Sequence, residues 1–307
     1  MINLWYQRSL ITLESLTREA LEQLFELAAC YKKQKPLLKL SNCLLASCFF
    51  EPSTRTRLSF EAAIHRLGGS VIGFADGQSS SQQKGESFRD TIRIISGYVD
   101  AIILRHPQAG AAQAAVEAAG EIPIINAGDG AHQHPTQALL DLFTIQETQQ
   151  RLDNLNIALV GDLKYGRTAH SLIQALTLFR GNHLFLVAPE NLALPQTLLA
   201  QLQQQGCHYS QYQSLAQVLP QVDILYMTRI QQERFQATET LMPPSITLTT
   251  MDLQFMRPQA KVLHPLPRLA EIAPEVDSSP QAYYFQQANN GIYVRQALLS
   301  LLMNPNG

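Results

Sequence analysis

Short apolar runs and amphipathic stretches alternate along almost the whole chain. Leu21, Leu24, Phe25 and Ala28 recur at the spacing of one helical face and predict a helix over residues 17–34. Thr17 is placed to cap its N-terminus, Glu19 complements the positive end of its dipole, and Pro36 ends it. Nearly unbroken apolar runs follow at 43–50, 70–74, 101–104 and 122–127. Runs of this length without polar alternation predict strands buried on both faces of a parallel sheet. Helical stretches are expected between them near 53–67, 87–98 and 109–119, the last alanine-rich and read as a closely packed helix. A second set of runs lies at 156–160, 183–188, 207–212, 223–228 and 261–263, with helices near 167–179, 194–205 and 214–218.

This alternation predicts an α/β fold: two doubly wound parallel-sheet domains, with right-handed crossovers, joined by crossing helices. The first domain is assigned to 1–134 plus 288–307 and the second to 150–287. The connection is assigned to 135–149, where a helix runs from 135 to about 148, and a final helix is expected over 291–303. A length of 307 residues suits two domains of ordinary size.

Composition narrows the classes. Apolar residues make up 46% of the chain and charged residues only 16%, which favours well-formed cores and an oligomer. A net charge of −2 gives no global attraction to nucleic acid or to an acidic membrane, so neither is an expected partner. The cysteines, Cys30, Cys43, Cys48 and Cys207, form no C-x-x-C pair, and two lie inside an apolar run. They read as reduced core thiols of a cytosolic protein. The first residues lack the basic-then-apolar form of a signal peptide, and no apolar stretch is long enough to span a membrane. The expected location is therefore cytoplasmic. No metal site is evident.

In open α/β sheets, ligands sit beyond the carboxyl ends of the strands. The strongest signal there is Phe50-Glu51-Pro52-Ser53-Thr54-Arg55-Thr56-Arg57, where a buried strand runs into a helix start. Free N–H groups at a helix N-terminus attract anions. Ser53, Thr54 and Thr56 add hydroxyl donors, and Arg55 can grip two phosphate oxygens. An isolated Ser-Thr pair would read better as a helix cap, but an arginine between hydroxyls directly after a strand favours an anion site. Arg57 is equally suited to holding the loop or a neighbouring subunit. Gly161-Asp162-Leu163-Lys164-Tyr165-Gly166-Arg167-Thr168 also joins a strand to a helix. It carries neither G-x-G-x-x-G nor a P-loop, which disfavours nucleotide binding.

The S-T-R-T-R segment after a strand resembles the phosphate-binding signature of the aspartate and ornithine carbamoyltransferases. Further motifs stand in family order: Arg105-His106-Pro107, His134-Pro135-Thr136-Gln137, Arg229-Ile230-Gln231-Gln232-Glu233-Arg234 and His264-Pro265-Leu266-Pro267-Arg268. The resemblance implies that the first domain binds carbamoyl phosphate through Ser53, Thr54, Arg55, Thr56, Arg105, His134 and Gln137. It implies Arg55, Thr56, Arg105 and His134 as the catalytic set, with Thr56, Arg105 and His134 forming an oxyanion pocket. Taken alone, His134 would more often be structural, and Arg105 at a strand end can equally pair with an acid.

The resemblance also implies that Arg167, Arg229 and Gln231 bind the acceptor with Lys84, and that Leu266 and Pro267 offer it backbone carbonyls. Proline at 265, where ornithine enzymes usually have cysteine, and Met227-Thr228-Arg229 in place of a Ser-Met-Gly type loop point to the aspartate members. The implied reaction gives N-carbamoyl-L-aspartate and phosphate, the committed early step of de novo pyrimidine biosynthesis, with no cofactor. Ser80 or Ser81, together with Lys84, is implied to complete the site of a neighbouring subunit, so the implied assembly is a trimer with shared sites. Some family members also pair with a regulatory chain. Segment 235–257 is the poorest match. The competing readings are an ornithine-type carbamoyltransferase, a catalytically silent scaffold and a nucleotide-dependent dehydrogenase.

Overall fold

The computed structural model describes residues 2–34, 39–77, 85–130, 132–231, 235 and 246–305. It divides into two units, Met1–Leu139 with Asn290–Gly307, and Leu140–Asn289.

The first unit opens with α1 (Arg18–Lys32), which buries Ala20, Leu21, Leu24, Phe25 and Ala28 as the periodicity predicts. The Thr17 hydroxyl accepts the Ala20 N–H at 3.3 Å, the expected cap. Pro36, expected to end this helix, lies outside the described residues. There follow β1 (Leu44–Phe49), α2 (Thr54–Arg66), β2 (Ser70–Phe74), α3 (Phe88–Ser96), β3 (Ala101–His106), α4 (Ala111–Ala119) and β4 (Ile124–Asp129). The strands are all parallel, in the order β2-β1-β3-β4. Five of the nine α4 residues are buried alanines, and Ala112, Ala115 and Ala119 pack with Ala46, Cys48, Ile102 and Leu104 of the sheet. Burial in this core pushes the Cys48 thiol up to about 12, which leaves it un-ionised and inert.

α5 (Pro135–Gln149) leads to β5 (Asn156–Val160), α6 (Arg167–Leu176), β6 (His183–Val187), α7 (Gln196–Gln204), β7 (His208–Tyr212), β8 (Ile224–Met227), α8 (Thr250–Leu253), β9 (Lys261–Leu263) and α9 (Tyr284–Met303). The five strands of the second unit are parallel, in the order β7-β6-β5-β8-β9. Ala158, Val160, Leu225, Met227 and Val262 anchor its core. Among the described residues, no helix is long and apolar enough to cross a membrane.

Several expectations need correction. β2 and β7 are not buried on both faces, because each is an edge strand and its exposed positions look outward. The run at 122–127 begins and ends two residues early, since Asn126 and Asp129 are polar strand residues buried by hydrogen bonding rather than apolar character. The helix expected at 214–218 is a single 3-10 turn, Leu215–Gln217. α9 starts at Tyr284 rather than at 291, because Gln287 and Asn290 hide its apolar period yet are fully buried. The apolar pattern does not predict α8, which is a single turn held by reciprocal bonds between Thr249 and Asp252.

Candidate active site

In the first unit the chain passes from β1 to β2 on one side and returns at β3 on the other. The loops leaving β1 and β3 diverge there, at the switch point where such sheets bind ligands. The 53–57 segment follows β1, and Arg105 lies near the end of β3. Phe49 and Arg105 are paired in register, and the Phe50 N–H donates to the Arg105 carbonyl at 2.8 Å. Ser53 holds the N-cap position of α2 in extended conformation, but its side chain makes no capping hydrogen bond. The hydroxyl is thus not spent on the helix, and the first turn carries no acidic residue against the helix dipole. Thr54 and Arg55 are exposed, and Thr56 is buried. Arg57 pairs with Glu61 of its own helix at 3.3 Å.

Arg105 does pair with an acid: its Nη2 lies 2.9 Å from Glu51 Oε2, and its Nη1 donates to the Ala127 carbonyl at 3.2 Å. A guanidinium has five N–H donors, so these contacts orient the fork without exhausting it. Gly128 brings Arg105 and His134 together. Its φ is +117°, and a Cβ there would lie 2.6 Å from Arg105 Nη1 and 3.4 Å from His134 Cδ2. Asn126 and Asp129 shape this turn. The Asn126 Oδ1 accepts the Gly128 N–H at 2.8 Å, and its Nδ2 donates to Asp129 Oδ1 at 2.9 Å. Asp129 Oδ2 also accepts the Gly110 N–H at 3.0 Å. The motifs do not point to Asn126, Gly128 or Asp129; polar residues interrupting an apolar run, followed by Gly-Asp-Gly, are the available signal. His134 is buried just before α5, and its carbonyl accepts the N–H of the half-buried Gln137 at 3.0 Å. Lys84, Ser80 and Ser81 lie outside the described residues.

The second unit repeats the arrangement at the switch point between β5 and β8. Arg167, buried, opens α6 after β5, and Arg229, half-buried, follows β8. The two loops are locked to each other. Gly161 has φ +114°, and a Cβ there would meet the Thr228 carbonyl at 2.3 Å, so only glycine allows the approach. Asp162, fully buried, accepts from the N–H groups of Lys164 and Tyr165 through Oδ1 at 3.1 and 2.9 Å. Its Oδ2 accepts the Gln231 N–H at 3.0 Å, and Gln231 Nε2 donates to the Tyr165 carbonyl at 3.0 Å. Gln231 is therefore a clasp between the two arginine-bearing loops.

Leu266 and Pro267 stand after β9, one strand beyond β8. Leu266 has φ +55°, rare for a branched residue, and its N–H donates to His264 Nδ1 at 2.8 Å. That bond makes Nδ1 the acceptor, so Nε2 carries the proton toward Glu271 Oε1 at 2.8 Å. Burial pushes the His264 pKa down in spite of Glu271, and the nearby charge of Arg229 acts in the same direction as burial. Burial alone would raise Glu271, but the His264 bond and the Leu269 N–H outweigh it and leave its pKa low. Arg268 pairs with Asp277 and donates to the Tyr284 hydroxyl at 2.9 Å, which braces the end of this segment. Among the described residues, no group of histidine, cysteine and acidic side chains is arranged to hold a metal ion.

Thus the 53–56 segment and Arg105 stand at the β1 and β3 ends that flank one switch point, with His134 approaching Arg105 at Gly128 and Gln137 opening α5 just after it; Arg167, Arg229 and Gln231 stand on the loops that flank the other, with Leu266 and Pro267 after the neighbouring strand. Residues 8–147 match the family model for the carbamoyl-P binding domain of aspartate/ornithine carbamoyltransferases, and residues 153–302 match the model for the Asp/Orn binding domain. The fold is similar to aspartate transcarbamoylase from Trypanosoma cruzi solved with carbamoyl aspartate and phosphate, at 37% identity and TM-score 0.90, over 99% of this chain and 98% of that one. The same enzyme solved with N-(phosphonacetyl)-L-aspartic acid gives 37% identity and TM-score 0.91, over 99% and 97%. The catalytic subunit of M. jannaschii aspartate transcarbamoylase is 44% identical with TM-score 0.87, over 96% and 97%. With both domain models matched in order and nearly the whole chain superposed, this chain belongs to the aspartate/ornithine carbamoyltransferase family.

Proposed function

We propose that the chain transfers the carbamoyl group of carbamoyl phosphate to L-aspartate, giving N-carbamoyl-L-aspartate and phosphate, the committed early step of de novo pyrimidine biosynthesis. The observation that carries the acceptor is the clasp joining the Arg167 and Arg229 loops through Asp162 and Gln231. Two guanidiniums at one switch point suit two carboxylates, each able to take a bidentate pair. The second ammonium of ornithine would meet charge of its own sign. The ligands of the T. cruzi relative support the same reading.

In this reading the α2 N-terminus, with Ser53, Thr54, Arg55 and Thr56, binds the phosphate group. Gln137 accepts from the carbamoyl NH2. The neutral amine of aspartate attacks the carbonyl carbon, and the new C–N bond raises negative charge on the carbonyl oxygen. Thr56, Arg105 and His134 stabilise that oxyanion. The C–O bond then breaks, and phosphate leaves with the electron pair and takes up the proton that the attacking nitrogen sheds, its charge offset by Arg55 and Lys84. Arg167, Arg229 and Gln231 position the carboxylates, and the carbonyls of Leu266 and Pro267 take the amino group. No covalent enzyme intermediate, metal or cofactor is invoked; catalysis comes from positioning and electrostatics. The proposed setting is a cytoplasmic homotrimer in which Lys84 and Ser80 or Ser81 act in the neighbouring subunit's site. Sizing the native complex from its source decides whether a regulatory chain is also present.

The acceptor assignment is tested by supplying carbamoyl phosphate with either amino acid. N-carbamoyl-L-aspartate and phosphate are expected in equal amounts, with kcat/KM for L-ornithine lower by about ten-thousandfold. Comparable use of ornithine overturns the assignment. Site sharing is tested by mixing Lys84→Ala and His134→Ala chains, each nearly inactive alone. Random reassembly into cyclic trimers leaves about a quarter of the sites intact, so a matching recovery of activity is expected. No recovery after verified subunit exchange rejects shared sites.

A further inference from the structure

A chain of buried polar groups in the second unit has no role in the chemistry above. Asp141, on α5, is fully buried. Its Oδ2 accepts from the Tyr226 hydroxyl at 2.8 Å and its Oδ1 from Gln287 Nε2 at 2.7 Å. Gln287 Oε1 accepts the backbone N–H of His264 at 2.8 Å. The Tyr226 hydroxyl is also hydrogen-bonded with Thr168. Tyr226, Gln287 and His264 are each exposed by 1% or less.

The branches through Tyr226, Thr168 and His264 end beside acceptor-binding residues. Tyr226 lies on β8 shortly before Arg229, and Thr168 directly follows Arg167. His264 opens the segment carrying Leu266 and Pro267, and its ring fixes the Leu266 N–H. A carboxylate in a core is costly unless donors meet its oxygens; once met, it tolerates little displacement of them. The apolar cluster of Ala158, Val160, Leu225, Met227 and Val262 lies on the other face of the sheet, since Leu225 and Met227 flank Tyr226 on β8, so it does not fix the Tyr226 side chain. Asp141 is thus the point where the β8 end and the 264–267 segment are referred to one another.

We propose that Asp141 is a positioning residue for the acceptor: through Tyr226 and Gln287 it sets the spacing between the arginine-bearing strand end and the Leu266–Pro267 carbonyls. The inference rests on the acceptor reading given above. The geometry requires both carboxylate contacts and the amino contact to fit one small molecule, so a small shift of either edge weakens binding.

The test compares the wild type with Asp141→Asn, Tyr226→Phe, and the double variant Asp141→Asn/Gln287→Glu. In the double variant the charge moves to position 287: the amide introduced at position 141 donates to the new carboxylate, which still accepts the His264 N–H. Asp141→Asn is expected to raise KM for aspartate by roughly tenfold or more, with KM for carbamoyl phosphate within about twofold of the wild type. Tyr226→Phe, which loses one hydroxyl, should move aspartate KM in the same direction and serves if Asp141→Asn does not fold. The double variant should recover most of the loss. Calorimetric titration with succinate, a dicarboxylate without the amine, should show the same ranking of Kd. Lower thermal stability with aspartate KM and succinate Kd unchanged would assign Asp141 to the core alone and overturn the inference, as would failure of the exchange to restore binding. A wild type that binds succinate without carbamoylating aspartate removes the functional reading, and the succinate ranking still decides the inference. A wild type that binds neither overturns both.

Discussion

Turnover falls by about three powers of ten when Arg55 becomes alanine, while the fold and its thermal midpoint stay essentially unchanged. The two halves of this expectation have separate causes. Arg55 is exposed on the first turn of α2 and fills no core position, so its removal leaves no cavity. In the proposed mechanism, however, its charge stands where phosphate charge grows as the C–O bond breaks. Ser53, Thr54 and the free helix N–H groups would remain and hold the ground state in part, so the loss should fall mainly on kcat. Steady-state kinetics beside a melting curve separate these effects. Near-normal kcat in a folded variant removes Arg55 from the reaction.

Arg229→Ala should leave the KM for carbamoyl phosphate nearly unchanged and raise the KM for aspartate by about a hundredfold, the expected result of losing a charge-assisted pair to a carboxylate. Arg229→Lys should recover only part of it, since an ammonium keeps the charge but not the planar fork. The clasp through Asp162 and Gln231 uses the Gln231 backbone N–H and amide rather than the Arg229 guanidinium, so the loop should persist in both variants. An aspartate KM that does not move would show that the carboxylate is held elsewhere.

What can be read from the chain before folding depends on whether the information is local. The 53–57 segment concentrates a strand end, a helix start, hydroxyls and a guanidinium in one stretch, and the structure places it at a switch point. Arg105 is legible for the same reason, whereas its acidic partner has no identity until the fold brings Glu51 to it. The strands declare their existence through apolar runs, but not their order, so the runs of β2 and β7 predict central strands where the sheets have exposed edges. The Asp141 connections join residues 85 and 146 positions apart, and nothing in a helical stretch marks a buried aspartate as different from a solvated one. Gly128 and Gly161 stand in segments the sequence marks, but why each must be glycine is not legible there, because that need shows only when a neighbouring backbone or side chain arrives where a Cβ would be. The start of α9 is hidden because buried amides, Gln287 and Asn290, supply hydrogen bonds where the period asks for apolar side chains.

The contact of Gly161 with the Thr228 carbonyl bears on redesign of the acceptor preference. An engineer who wished this scaffold to accept a different amine would naturally begin with the segment after β8. That segment rests on the glycine backbone of its neighbour and shares Asp162 with it, so any new length or side chain there disturbs Arg167 as well. Libraries that vary residues 161–167 and 228–231 jointly should therefore yield folded, altered-specificity variants more often than libraries confined to either stretch.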